Sequence, residues 1–165
     1  VPGIYWYILE ENMTFIEKIC GCFNELKIPY AVVGGYAVAL HGAPRGTIDL
    51  DLIISLKESS IIAAEEALGA LGLKSLLPIT GHDLYQFRLE YIKNRNLIAW
   101  SFYNPINPME VVDIIVTVDL DECSVVKVKF AKAEISIISK SDLIKMKKLS
   151  GRPQDLLDIG ALERL

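Results

Sequence analysis

The sequence predicts one α/β domain of the α+β kind, with strands and helices interleaved around a single core. Three observations carry that expectation. A glycine pair, Gly34-Gly35, breaks an apolar strand and turns it into a helix. Residues 48–54 alternate with the period of a strand, Ile48, Leu50, Leu52 and Ile54 on one face and Asp49, Asp51 and Ile53 on the other. Helix signals then recur at Ser139, Gly151 and Pro153. With 165 residues, 52% of them hydrophobic, the chain can bury a sizeable core without disulfides or a structural metal.

Taken in order, Phe15, Ile19, Phe23 and Leu26 recur at helical spacing, and Pro29 ends that helix. Residues 30–33 read as a short buried strand, and residues 36–41 as the helix that Gly42 and Pro44 stop. After the alternating strand, Ser55 with Glu58 resembles a capping box. The helix it opens runs to about Gly72, with Ile61, Ala64, Leu68 and Leu71 inward. Residues 84–92 and 97–103 read as two strands of a hairpin joined by the polar loop Lys93, Asn94, Arg95, Asn96. Residues 109–116 form a further apolar strand, and residues 124–130 one with a wet face carrying Lys127 and Lys129. Ser139 with Asp142 opens a helix that Gly151 closes, and Pro153 suits the first turn of a final helix.

The net charge of -4 argues against a general nucleic-acid coat, so any such partner must meet a local patch. Lys127, Lys129, Lys132, Lys140, Lys145, Lys147, Lys148 and Arg152 supply one where an RNA acceptor would lie, although a solvated face is the commoner explanation of such a run. Three cysteines, with Cys20 and Cys22 on different helix faces, suggest neither disulfides nor zinc and fit a reducing cytoplasm. Residues 1–9 are apolar but lack a basic n-region and are too few to span a membrane. Residues 1–12 therefore read as an extension or packed arm beside a domain at 13–165.

The chemistry is expected on the alternating strand. Asp49 and Asp51 project from one face about 7 Å apart at the backbone, close enough to share cations. Two such carboxylates are costly when dry, and oxygen ligands without His or Cys suit magnesium, with manganese as the alternative. Gly34 and Gly35 remove two Cβ atoms where a strand meets a helix, so backbone N–H groups can approach a phosphate. Arg45, four residues before Asp49, can contact phosphate or brace the carboxylates. The glycine spacing is not that of a dinucleotide fingerprint, no P-loop lysine is present, and acids on a strand do not make an EF-hand.

Gly34-Gly35, Arg45 and Asp49-Leu50-Asp51 together resemble the signature of the DNA polymerase beta type nucleotidyltransferase superfamily. The run VGGYAVALHGAPRGTIDLDL at 33–52 is similar to small AbiEii-like, toxin-type transferases, and so is the stretch 142–162 with Met146-Lys147 and Gly151-Arg152-Pro153. The resemblance implies a nucleotidyltransferase fold, a mixed β-sheet flanked by helices with further C-terminal helices. It also implies two metal ions aligning an NTP for in-line attack with release of pyrophosphate. A third carboxylate is expected from a neighbouring strand. Asp113 fits because it interrupts the apolar run Val111, Val112, Ile114, Ile115, with Glu110 as runner-up. Lys147 matches the family's lysine and would reach the triphosphate, unless it is only a wet-face lysine. Asp155 and Asp158 resemble family positions of second rank, since acids in a first helical turn also serve the helix dipole.

These residues imply a transferase moving an NMP to an acceptor, which is RNA such as tRNA, a protein hydroxyl or a small molecule. A toxin-type enzyme would also have an antitoxin partner. A non-catalytic nucleotide-binding module is the alternative. His41 and His82 lack the surroundings of a metal site, and Trp100, Phe102 and Tyr103 read as core or cross-strand aromatics before base-stacking ones.

Overall fold

A computed structural model describes residues 12–165; the expected arm lies, for residues 1–11, outside the described residues. Helix α1 (Phe15–Glu25) opens on a capping box, Thr14 accepting from the Glu17 N–H. Strand β1 (Tyr30–Val33) runs straight into α2 (Gly34–Leu40), and β2 (Leu50–Ile54) is followed by α3 (Glu58–Ala70). Then come β3 (Lys74–Ser75), α4 (Gly81–Arg95), β4 (Ala99–Tyr103) and β5 (Val111–Ile115). The chain finishes with β6 (Val125–Phe130), β7 (Ala133–Ile138), α5 (Lys140–Ser150) and α6 (Pro153–Glu163).

The described strands form one seven-stranded sheet in the order β3-β4-β5-β2-β1-β7-β6. It is mixed, as expected. β2 runs parallel to β5 and β1 parallel to β7, and the other neighbours are antiparallel. Leu50, Leu52, Val112 and Ile114 on the central strands are fully buried, which leaves their alternating partners free to carry polar groups. Trp100 and Phe102 are core residues with ring centroids 4.6 Å apart, and the indole N–H donates to Ser75 Oγ at 2.8 Å. They have no access to a nucleobase.

Four expectations are corrected. Residues 84–92 are not a strand, because residues 81–95 form α4, capped by Thr80 and Asp83 in reciprocal bonds and closed by Asn96 at φ 52. The alternation of Tyr85, Phe87, Leu89 and Tyr91 mimicked a strand, but the first three are exposed on this helix. The supposed hairpin loop is its last turn, where Lys93 and Arg95 face the negative end of the helix dipole. Ser55 caps nothing: its hydroxyl donates to Asp121 Oδ2 at 2.9 Å, and α3 starts later, at Glu58, without a side-chain cap. Ile48 is exposed, since pairing begins only at Leu50. Strand β7 was not anticipated, because the two-residue turn joining it to β6 is Ala131-Lys132, with Ala131 at φ 52 where glycine or asparagine is usual. The helix signals at Ser139, Gly151 and Pro153 hold as read.

The assignment of α4 has a direct test. Thr80→Ala removes the N-cap acceptor and is expected to lower stability by about 1 kcal/mol in urea unfolding, whereas the same change in a hairpin approach would be near neutral.

Candidate active site

Strand register builds the floor of the site. Asp51 on β2 pairs with Asp113 on β5, Asp113 pairs with Ser101 on β4, and Asp51 pairs with Val33 on β1. Residues paired across a sheet share a face, so the two carboxylates stand side by side on adjacent strands, with Asp49 one pleat away. Ser101 Oγ donates to Asp113 Oδ1 at 2.5 Å. Asp51 lies against the turn into α2. Gly34 there has φ 65, and a Cβ on it would sit 2.0 Å from Asp51 Oδ2. Both the backbone conformation and the close approach therefore require glycine. A Cβ on Gly35 would meet the Thr47 side chain at 2.8 Å, so the second glycine lets the segment before β2 fold onto the turn.

Above this floor opens a cavity of about 900 Å³. Asp49, Asp51 and Asp113 face it, with Gly34 and Gly35 beside them. Arg45, Lys147 and Arg152 also line it, as do Ile48, Pro108 and Met109. Negative charge is concentrated at the floor. Burial, then repulsion from Asp113 and Asp49, pushes the Asp51 carboxyl up to about 7, against the pull of Arg152 and Lys147. Asp49 is raised in the same direction by desolvation and by Asp113.

The cations are held from behind by two acids of α6. Asp155 and Asp158 are 1% and 3% exposed, and Lys147, at 5%, lies between them. Lys147 Nζ donates to Asp158 Oδ2 at 2.7 Å and to Asp155 Oδ1 at 3.4 Å. Arg152 Nε donates to Asp155 Oδ2 at 2.9 Å, and Arg45 Nε to Asp158 Oδ1 at 3.1 Å. Burial alone would raise the Asp155 carboxyl, but hydrogen bonds from Arg152 and Ser150 outweigh it and hold it well below the usual range. In Asp158, bonds from Lys147 and Gln154 overcome burial likewise.

The structure thus brings Gly34, Gly35, Arg45, Asp49, Asp51, Asp113 and Lys147 to one cavity. Three roles change. Arg45 braces Asp158, not the strand carboxylates. Lys147 is no wet-face lysine and spends its ammonium on two acids. Asp155 and Asp158 anchor these cations, beyond any service to the helix dipole. Glu110 accepts from Asn104 and does not line the cavity. His41 is bonded to the Ile138 carbonyl and His82 to Glu58. Sequence reading missed Arg152 as a cavity residue; its side chain is 75% exposed, which makes it the most open of the three cations. The Gly151-Arg152-Pro153 run was the available signal. Ser101 carried none, because only cross-strand pairing brings it to Asp113.

Among the described residues, no three His, Cys, Asp or Glu side chains already converge on a common point. The chemistry of the donor set nonetheless fits a hard divalent cation. All the donors are carboxylate oxygens, and their mutual repulsion is what a cation would relieve.

No protein-family model matches the chain, and no curated protein does. Solved structures do. A lincosamide antibiotic adenylyltransferase, LnuA, solved with lincomycin, superposes with a TM-score of 0.58 at 15% identity, covering 90% of this chain and 94% of its own. ANT(2'')-Ia in complex with adenylyl-2''-tobramycin gives 0.59 at 13% identity, over 89% and 84%. An antigenic nucleotidyltransferase-like protein from Paracoccidioides brasiliensis gives 0.55 at 20%, over 87% and 71%. The fold is that of the nucleotidyltransferases. Within this nucleotidyltransferase fold, the C-terminal helices α5 and α6 pack on each other, and Lys147 of α5 and Arg152 between them line the cavity above the sheet.

Two outcomes follow from the charges. Lys147→Met leaves Asp155 and Asp158 short of their shared cation and is expected to cost about 3 kcal/mol in denaturant unfolding. In chelator, folded Asp51 keeps its proton up to about pH 7, whereas its ordinary value is 3.8. The Asp51 contribution to stability is then fully present below about pH 4, is lost as pH rises towards 7, and levels off above it, while the depressed Asp155 and Asp158 act in the opposite sense at acid pH. Asp51→Asn should remove most of that slope, worth about 3 to 4 kcal/mol, as measured by urea unfolding at pH 4 and pH 8.

Proposed function

We propose that this chain is a metal-dependent nucleotidyltransferase that moves a nucleoside monophosphate from an NTP to an acceptor hydroxyl. The observation that carries the reading is the side-by-side placement of Asp51 and Asp113, with Asp49 adjacent, on the floor of a cavity also lined by Arg45 and Arg152. Magnesium, or manganese in its place, would be held by Asp49, Asp51 and Asp113, and when bound supplies neutralisation of charge at the attacking and leaving oxygens. The protein's own part is placement. Arg152 and Arg45 attract the β- and γ-phosphates, Lys147 fixes the acids that orient both arginines, and the glycine turn lets the polyphosphate approach the floor. The acceptor oxygen bonds to the α-phosphorus and gives up its proton to a carboxylate. The bond from the α-phosphorus to the bridging oxygen breaks, and its electron pair leaves with pyrophosphate.

RNA such as tRNA, a protein hydroxyl and a small molecule remain the acceptor classes, and the toxin-type resemblance would add an antitoxin partner. The two antibiotic-modifying neighbours support the small-molecule class. A non-catalytic nucleotide-binding role is the second reading, since the same cavity could hold a nucleotide without turnover. The unpaired thiols Cys20, Cys22 and Cys123 accord with a reducing cytoplasm, and no described helix is long and apolar enough to cross a membrane.

The test is incubation with magnesium and each α-labelled NTP in turn, offering total RNA, protein extract, lincomycin and tobramycin. Wild-type protein should label one acceptor class, and Asp49→Ala with Asp51→Ala should lower transfer at least about 100-fold. Labelling that survives loss of both carboxylates rules out the mechanism. Thermal stabilisation by magnesium and NTP without any labelled product favours the binding role.

A further inference from the structure

The two flanks of the cavity differ in chemistry, and sheet order fixes which is which. Gly34 follows β1, and β7, which leads into α5 with Lys147, pairs with β1. Cations therefore lie on the β1 and β7 side of Asp51. Asp113 lies on the other side, on β5, and the chain reaches β5 through Pro108 and Met109. These two line the cavity together with Ile48, while Met109 and Ile48 are 61% and 57% exposed. Large apolar side chains thus stand open to solvent in an otherwise charged cavity, Met109 on the β5 flank and Ile48 just before β2, the strand between the flanks. No cation in the lining belongs to that flank, and the charged residue next to Met109 is an acid, Glu110.

In-line displacement sets the attacking and leaving oxygens on opposite sides of the α-phosphorus. Pyrophosphate, an anion, belongs with Arg45 and Arg152, so the attacking hydroxyl must arrive from the opposite side. We infer that Pro108 and Met109, with Ile48 just before β2, form an acceptor shelf, selecting an uncharged, hydroxylated small molecule with an apolar face. This rests on the proposed monophosphate transfer. A polyanion such as RNA would bring phosphates to a flank carrying Asp113 and no basic side chain. The step is the one already balanced: the acceptor oxygen gains phosphorus and loses its proton, and pyrophosphate takes the electron pair.

The chain has three methionines, Met13, Met109 and Met146, so a ¹³C-methyl label on methionine reports the shelf directly. With magnesium and α,β-methylene-ATP present, hexyl β-glucoside should shift the Met109 methyl saturably and leave Met13 unmoved. Methyl β-glucoside should bind at least tenfold more weakly, and tRNA should leave Met109 unmoved. Ile48→Ser should weaken the hexyl glucoside response about tenfold. An unmoved Met109, a tighter response to tRNA, or displacement of hexyl glucoside by the nucleotide analogue itself would overturn the shelf, the last assigning it to the nucleobase. Binding of the analogue is followed separately by thermal shift. A glucoside response from a protein that binds no analogue would overturn the acceptor assignment and the transferase reading together.

Discussion

Two carboxylates on neighbouring strands, whose backbones run about 4.8 Å apart, constrain everything around them. Asp51 and Asp113 are direct partners in a parallel pair, and like charges placed opposite each other destabilise a sheet. Branched apolar side chains at both positions would pack better in a strand pair whose other face is wholly buried. The surroundings instead accommodate the acids. Gly34 gives up a Cβ and adopts φ 65 so that the Asp51 carboxylate fits, and Ser101 donates to Asp113 from the far side. The residual repulsion shows in Asp51, which burial and its two acidic neighbours push up to about 7.

A second layer of charge balances the first from a distance. Asp155 and Asp158 are buried so deeply that they need cations, and the cations they attract are those that line the cavity. Removing one member of such a network leaves an uncompensated buried charge, so the network holds its geometry. Its consequence for the site is that Arg45 and Arg152 are oriented by bonds behind them. The exposed part of Arg152 remains available to a ligand while its Nε is fixed on Asp155. Lys147 on α5 and Arg152 in the turn to α6 therefore line one side of the cavity, with the acids of α6 behind them.

Legibility in the sequence followed the range of the interactions. The alternation through Asp49 and Asp51, the Gly34-Gly35 turn and the caps at Ser139 and Gly151 are local, and each was read where it lies. Asp113 was found through resemblance together with its intrusion into an apolar run. Helix α4 was misread because its apolar residues alternate, while the Thr80-Asp83 capping box that decided the matter precedes the pattern by one turn. Strand β7 escaped because an Ala-Lys turn carries no turn signal. The partners of Lys147 and Arg45 lie 11 and 113 residues away, beyond any local pattern. Ser101 likewise acquires its role only from sheet register.

Neighbours at 13 to 20% identity share this frame, and one frame can serve different acceptors when its two flanks are built from different parts of the chain. Here the cationic flank is tied into the buried acids of α6, so altering it disturbs the folding energetics. The opposite flank comes from residues 104–110, a connection whose Pro108 and Met109 are exposed and whose main tie is the Asn104 to Glu110 bond. Changes there leave the carboxylate floor and the cation network intact. On the proposed transferase reading, donor binding would be tied to the buried acids of α6, and acceptor choice would be the property that this short connection alters at least cost to stability.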